Sequence, residues 1–177
     1  MANDCTQLTG ITLDCRDNVG GIQTVFITNA TGSIAVGTTN TGSVDIAQIS
    51  VDATPLTVDL TAMQEYECVR QTGNLSETGT FSEENGTVFY TAVANTIFNK
   101  LTDEKMYELS ELAVSTKLCI IVKDNNDKYW LVGNDRGAVV SNSTAETGVA
   151  FGDRSGLTIE FTGIDTRPML QVQGITL

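Results

Sequence analysis

The 177 residues contain no histidine, only two prolines, one tryptophan and ten basic residues. Histidine carries protons near neutral pH and is the commonest metal ligand. Its absence excludes Ser-His-Asp and Cys-His machinery and the commonest zinc sites. Carboxylate-only and lysine-based chemistry remain open. No G-x-G-x-x-G or Walker-type loop occurs, which removes dinucleotide and nucleoside triphosphate binding by those motifs. The longest strongly apolar run, Leu118-Cys119-Ile120-Ile121-Val122, is too short to span a bilayer, so no membrane partner is expected. Met1-Ala2-Asn3-Asp4 has neither the basic region nor the apolar stretch of a signal peptide, and synthesis and folding in a cytosol are expected.

Cysteine is scarce and scattered. Cys5, Cys15, Cys68 and Cys119 show no C-x-x-C spacing and no metal-like cluster, so buried reduced thiols are the expectation. Basic residues are outnumbered by 22 acidic ones, giving a net charge of −12. Such a surface repels nucleic acid phosphates and anionic lipid. With no basic stripe and no interleaved aromatics, sequence-specific reading of DNA or RNA is not expected. An acidic surface still suits a protein past which DNA must slide without sticking. Four N-x-S/T sequons, at Asn29, Asn74, Asn85 and Asn142, are the chance product of a chain rich in Asn and Thr.

What the chain has in quantity is β-type sequence with Thr and Gly. Hydrophobic residues make up 41%, enough for a core in one domain spanning residues 1–177. The irregular first 21 residues lead into a strand from Ile22 to Thr28. In it Ile22, Thr24, Phe26 and Thr28 share one face, and Gln23, Val25 and Ile27 the other. Residues 29–45 read as a long loop or edge excursion. Leu56, Val58 and Leu60 alternate within a stretch from Val51 to Thr61. Two β-type arms, Tyr66–Ser82 and Thr87–Phe98, flank Glu83-Glu84-Asn85-Gly86, where Asn-Gly supplies the positive φ a tight hairpin needs. Gly73 and Gly79 predict bulges or bends in the first arm. A hairpin this long and polar cannot bury both faces within a small domain, and so points to a partner.

One helix is expected, from Thr102 to Ser115. Thr102 serves as N-cap, Asp103 and Glu104 complement the helix dipole, and Met106, Leu109, Leu112 and Ala113 form a core-facing stripe. Strands Lys117–Lys123 and Lys128–Gly133 follow, joined by Asp124-Asn125-Asn126-Asp127. That joint invites a calcium reading, but glycine is missing at its sixth position (Tyr129) and Asp135 stands where the loop needs glutamate; a turn accounts for it. Residues from Asn134 to Gly148 read as a small-residue loop. Gly152-Asp153-Arg154-Ser155-Gly156 loosely resembles a nucleophile elbow, but the serine sits one place late with no histidine to activate it, so this too is a turn. Leu157, Ile159 and Phe161 alternate with Thr158, Glu160 and Thr162 in a half-buried strand, and Met169–Leu177 reads as a closing strand. The sum is mainly antiparallel β with one helix. Trp130 is the sole tryptophan, so the aromatic platforms that accompany glycosidase carboxylate pairs are lacking, and Trp130 is expected in core or interface packing. No catalytic residue, metal ligand or cofactor site is assigned.

Two segments carry a resemblance. Gly10-Ile11-Thr12-Leu13-Asp14-Cys15-Arg16-Asp17-Asn18-Val19-Gly20-Gly21-Ile22 is similar to the N-terminal signature of virion structural proteins from phages of Bacteroidetes-type hosts. Phe151-Gly152-Asp153-Arg154-Ser155-Gly156-Leu157-Thr158-Ile159-Glu160-Phe161-Thr162-Gly163, with Arg167-Pro168, resembles their final strand region. The order of long hairpin, helix, hairpin, turn and last strand resembles phage tail tube proteins. The resemblance implies an antiparallel β-sandwich or half-barrel with a flanking helix, self-assembled into stacked, usually six-fold rings around a DNA conduit. It further implies a location in the virion tail after assembly in the host cytoplasm. Its implied partners are further copies of the chain, tape measure, terminator and sheath proteins, and DNA passing without specific binding. It assigns no catalytic residue. The Thr31–Val44 excursion and the N-terminal segment would staple neighbouring subunits or rings. The rival readings are a neck, connector or head-decoration protein and a soluble β-sandwich module that binds glycan or peptide.

Overall fold

The computed structural model describes residues 18–29, 57–60, 63–133, 136–172 and 174–176. The first 17 residues, most of the 29–45 excursion including Thr31–Val44, Val51–Leu56, and Cys5 and Cys15 lie outside this range. In chain order the elements are β1 (Ile22–Asn29), β2 (Thr57–Asp59), β3 (Gln64–Glu67), β4 (Asn74–Ser82), β5 (Thr87–Asn99) and α1 (Asp103–Val114). They are followed by β6 (Leu118–Asp124), β7 (Tyr129–Val132), β8 (Ala138–Glu146), β9 (Gly156–Asp165), β10 (Leu170–Val172) and β11 (Gly174–Thr176). The fold is mainly antiparallel β with one helix, as the sequence implies. Nine strands form one open, branched sheet, and β2 and β11 make a separate parallel pair.

The branch lies at β6. One edge of β6 pairs with β1, while the other pairs with β7 and, at Leu118↔Ala138 alone, with β8. The β6 sequence has no polar residue until Lys123 because both of its faces are covered, a pattern more usual in strands buried between layers. Leu118, Ile120 and Val122 face a core built with Ile22, Val25 and Ile27 of β1 and with Ala92, Ala94, Leu157, Ile159 and Phe161 of β5 and β9. Cys119 and Ile121 face a second core with Phe26, Leu131 and Val172, roofed by Leu60 and Met63. The sheet therefore folds on itself at the β6–β8 corner. The layer β3-β1-β6-β7-β10 packs across the first core against the layer β8-β9-β5-β4. A backbone hydrogen bond from Val69 N to Ile97 O (3.0 Å) ties the two layers on the far side.

Several expectations change in this frame. A bulge between Ile22 and Thr24 turns Ile22 to the same core as Val25 and Ile27, which breaks the simple alternation expected there. The 66–82 arm is two strands: β3 leaves to pair with β1, and only β4 lies along β5. The break falls at Gly73, where an added Cβ would lie 2.3 Å from Ile22 Cγ1, so the chain bends tightly past β1. No bulge occurs at Gly79, since the register runs unbroken from Asn74↔Asn95 to Ser82↔Thr87. Gly79 instead leaves space for Phe81, whose ring would lie 2.7 Å from an added Cβ.

The helix begins and ends as expected. The Thr102 hydroxyl accepts the Lys105 N–H, and Ser115 closes the C-terminus on the Glu111 carbonyl. Its apolar stripe is narrower than the sequence spacing implies: Leu112 is buried and Leu109 packs beside it, while Met106 and Ala113 are exposed. The helix caps one end of the sandwich and does not enter it. Residues 138–146, read from sequence as loop, form the nine-residue strand β8. The Met169–Leu177 stretch divides into β10, on β7, and β11, on β2.

Candidate assembly surface

The turns that invite a chemical reading are structural. Asp124 Oδ1 accepts the N–H groups of Asn126 and Lys128 (both 2.8 Å), and Oδ2 accepts Trp130 Nε1–H (3.0 Å). The carboxylate thus closes its own turn and anchors the half-buried indole. The Asn126 side chain accepts the Val19 N–H (2.7 Å) and donates to Val19 O and Asn18 Oδ1, while Asn125 Nδ2 donates to Gly20 O. The turn therefore also clasps the segment that leads into β1. Asp153 occupies the second candidate turn, where Oδ2 accepts the Val149 and Ala150 N–H groups at 2.9 and 2.7 Å. Those two bonds, Ala150 first, hold its carboxyl below the ordinary range. Among the described residues no three Cys, Asp or Glu side chains gather as a metal-binding group.

The described thiols are structural as well. Cys119 is fully buried and Cys68 half-buried, and neither is bonded to another sulfur. Burial alone pushes Cys119 up to about 12 and Cys68 up to about 11, which keeps both protonated and unreactive at neutral pH.

A cleft of about 240 Å³ lies under the helix, walled by Tyr66, Phe98, Leu109, Leu112 and Leu157. Two of its rim charges, Glu108 and Lys105, are already engaged. Tyr66 donates to Glu108 Oε2 (3.0 Å), and Lys105 Nζ donates to the carbonyls of Asn99 and Lys100. Burial, and then the neighbouring Glu108 carboxylate, push the Tyr66 phenol up to about 12. The folded state thus favours the protonated phenol relative to an unfolded chain, whose value is near 10. The stabilisation is complete below pH 10 and is lost as the pH rises through about 12. A titration followed by tyrosinate absorbance should show a step near pH 12 that Tyr66→Phe removes; its persistence in that variant would assign the step elsewhere.

Among the described residues nothing covers the outer face of the β8-β9-β5-β4 layer, opposite the first core. Register places Asn74, Ser76, Thr78, Thr80 and Ser82 of β4 beside Phe89, Thr91, Val93, Asn95 and Ile97 of β5. Next come Thr158, Glu160, Thr162 and Ile164 of β9, then Val139, Asn142, Thr144 and Glu146 of β8. This face is rich in hydroxyls, and its strand residues carry only the charges of Glu146 and Glu160. Ser141, at the β8 irregularity, donates to Glu160 Oε1 and accepts from Thr162 Oγ1, both at 2.8 Å. The chain's acidity concentrates elsewhere: Glu65 and Glu67 on β3, Glu83 and Glu84 in the hairpin turn, and Asp103, Glu104, Glu108 and Glu111 on the helix.

Both edges of this layer are open among the described residues. β4 pairs only with β5, and β8 beyond Ala138 pairs only with β9. Residues 141–146 are exposed on both faces. Backbone groups on such edges lack ladder partners and are templates for another strand. Sequence reasoning identified the hairpin but missed β8, the second edge; the β-branched pair Val139-Val140 followed by Ser and Thr is the signal that was present.

No family model and no curated protein matches the chain. Among solved structures it is similar to a chain described as "Virion of native gene transfer agent (GTA) particle", with a TM-score of 0.40 and 7% identity over 64% of this chain and 91% of the other.

Proposed function

We propose that the chain is a non-enzymatic structural subunit of a phage virion, and more finely a tail tube protein that polymerises into stacked rings. The observation that carries this reading is the four-stranded layer with two open edges and one hydroxyl-rich face. Pairing of β4 from one subunit with β8 from the next extends the layer from copy to copy, and closure into a ring, six-fold by the tail-tube resemblance, removes both edges of that layer. The bare face then lines the lumen. A lining of Thr, Ser and Asn with interspersed apolar side chains and Glu, and with Arg154 on Thr158 Oγ1 at one end as its cation among the described residues, offers DNA little to grip. The acidic groups on the helix and β3 lie away from that lining. Tape measure and terminator proteins are the partners that this role requires, joined by a sheath protein where the tail is contractile.

The test is negative-stain electron microscopy of the purified chain across a concentration series. Rings or hollow tubes that accumulate with concentration are the expected result. A chain that stays monomeric at the highest concentration would overturn self-assembly and favour a decoration protein or a binding module, and isolated closed rings that never stack would favour a neck or connector protein.

A further inference from the structure

The two ends of the four-stranded layer carry apolar side chains that nothing described in the subunit covers. At one end the β4–β5 hairpin overshoots β9, because β5–β9 pairing starts at Tyr90↔Asp165. Residues 80–82 and 87–89 therefore project as an unsupported two-stranded tip. Phe81 and Val88 are register partners on that tip and stay 67% and 50% exposed. Phe81 is fixed in place edge-on to Tyr90, with ring centroids 5.9 Å apart. At the other end, where Asn99 and Glu146 both align with Gly156, the β8–β9 loop holds Val149 and Phe151 fully clear of the subunit. This loop is braced. Besides the two bonds to the Asp153 carboxylate, the Asp153 N–H donates to Ala150 O (3.0 Å), and Gly148 takes φ +73°. An exposed apolar pair on a braced loop gains nothing within the subunit, and such groups mark a contact surface.

We infer that the Val149–Phe151 apex of one subunit seats on the Phe81–Val88 tip of a second copy, as the axial contact between successive rings. This rests on the tube reading above and names its stacking surface. Three observations select a second copy as the occupant. The two apolar patches sit at opposite ends of one antiparallel layer, so displacement of a copy along its own strands, with a sideways shift of two strand widths (about 10 Å), brings one against the other. The contact joins unlike surfaces, so it does not close on itself and repeats without limit. Charge agrees in part: the hairpin turn carries Glu83 and Glu84, while the loop end presents Lys100 and Arg154, the latter donating to Thr158 Oγ1 (3.2 Å), beside the like-charged Glu146 and Asp153, whose carboxylate is spent on its own turn.

The test compares full-length wild type with Phe151→Ser, Val88→Ser and the double variant, by sedimentation and electron microscopy over a concentration series. Each single change is expected to raise the concentration needed for tubes at least tenfold, about 1.4 kcal/mol, while single rings persist. The double variant is expected to be little worse than either single one, because the two side chains serve one contact. Both positions are exposed, so thermal unfolding of the variants should match wild type. Tubes forming from the variants at wild-type concentration would overturn the contact and leave the tube reading standing, as would effects that simply add. Normal tubes from Phe151→Ser combined with lost binding to phosphatidylcholine vesicles would overturn it in favour of a lipid surface. A monomeric wild type would overturn both readings together.

Discussion

Gly133→Ala is expected to remove a large fraction of the stability of the subunit. Gly133 takes φ +77°, in the region where an L-residue is strained by about 1–2 kcal/mol. An added Cβ would lie 2.4 Å from the Gly137 carbonyl carbon and 2.5 Å from Ala138 N. Those are backbone atoms at the corner where the chain passes from β7 into β8, so no side chain can swing aside. Overpacking costs about 1–3 kcal/mol more. Against a typical total of about 5–15 kcal/mol, the sum is a large fraction. Denaturant unfolding should show a midpoint far below wild type, with Gly152→Ala as the control. Gly152 faces open space and is not in the strained region, so alanine there should change stability by less than about 0.5 kcal/mol. A Gly133→Ala protein within about 1 kcal/mol of wild type would show that the corner yields more easily than its geometry implies.

Assembly should be equally sensitive to one backbone N–H. In an antiparallel strand, successive residues aim their N–H groups at opposite edges. Thr144 and Ala145 lie in the regular part of β8, opposite Thr158 and Leu157 of β9. Of the two variants Thr144→Pro and Ala145→Pro, one removes a donor from the β9 ladder and the other removes a donor from the open edge. The ladder variant should lose roughly 1 kcal/mol or more of stability. Its sibling should unfold like wild type yet fail to form rings at concentrations where wild type is fully assembled. Electron microscopy paired with thermal unfolding reads both. If both variants assemble normally, strand addition at β8 is not how copies join.

How far the sequence discloses this structure depends on whether local signals and burial agree. The 83–86 turn, the capped helix and the Leu157–Phe161 alternation are legible because each has a local cause: Asn-Gly chemistry, a Thr102 cap, a one-sided core. The β8 strand is illegible for the opposite reason. A strand exposed on both faces shows no period-2 hydrophobicity, and its Ser, Asn and Thr look like loop. Its β form comes from pairing with β9, a tertiary cause. The helix stripe misleads because Met106 and Ala113 have helical spacing but no layer beneath them. Gly79 misleads because glycine in a strand signals either a bulge or a close neighbour, and only the position of the Phe81 ring decides between them. The assembly surface is half legible: the long polar hairpin indicates a partner, but the second edge is visible only once β8 is placed.

The order of the two open edges along the chain bears on the timing of synthesis. β4 begins at residue 74 and β8 at residue 138, so 64 residues (138 minus 74) separate the emergence of the first edge from that of its complement. At about 5–20 residues per second, a nascent chain displays β4 for roughly 3–13 s before it makes any β8. Through that interval each chain carries the first edge without its own complement. Copies become able to join only after β8 and the β9 strand that gives it its form have been translated, which couples polymerisation to the completion of each subunit.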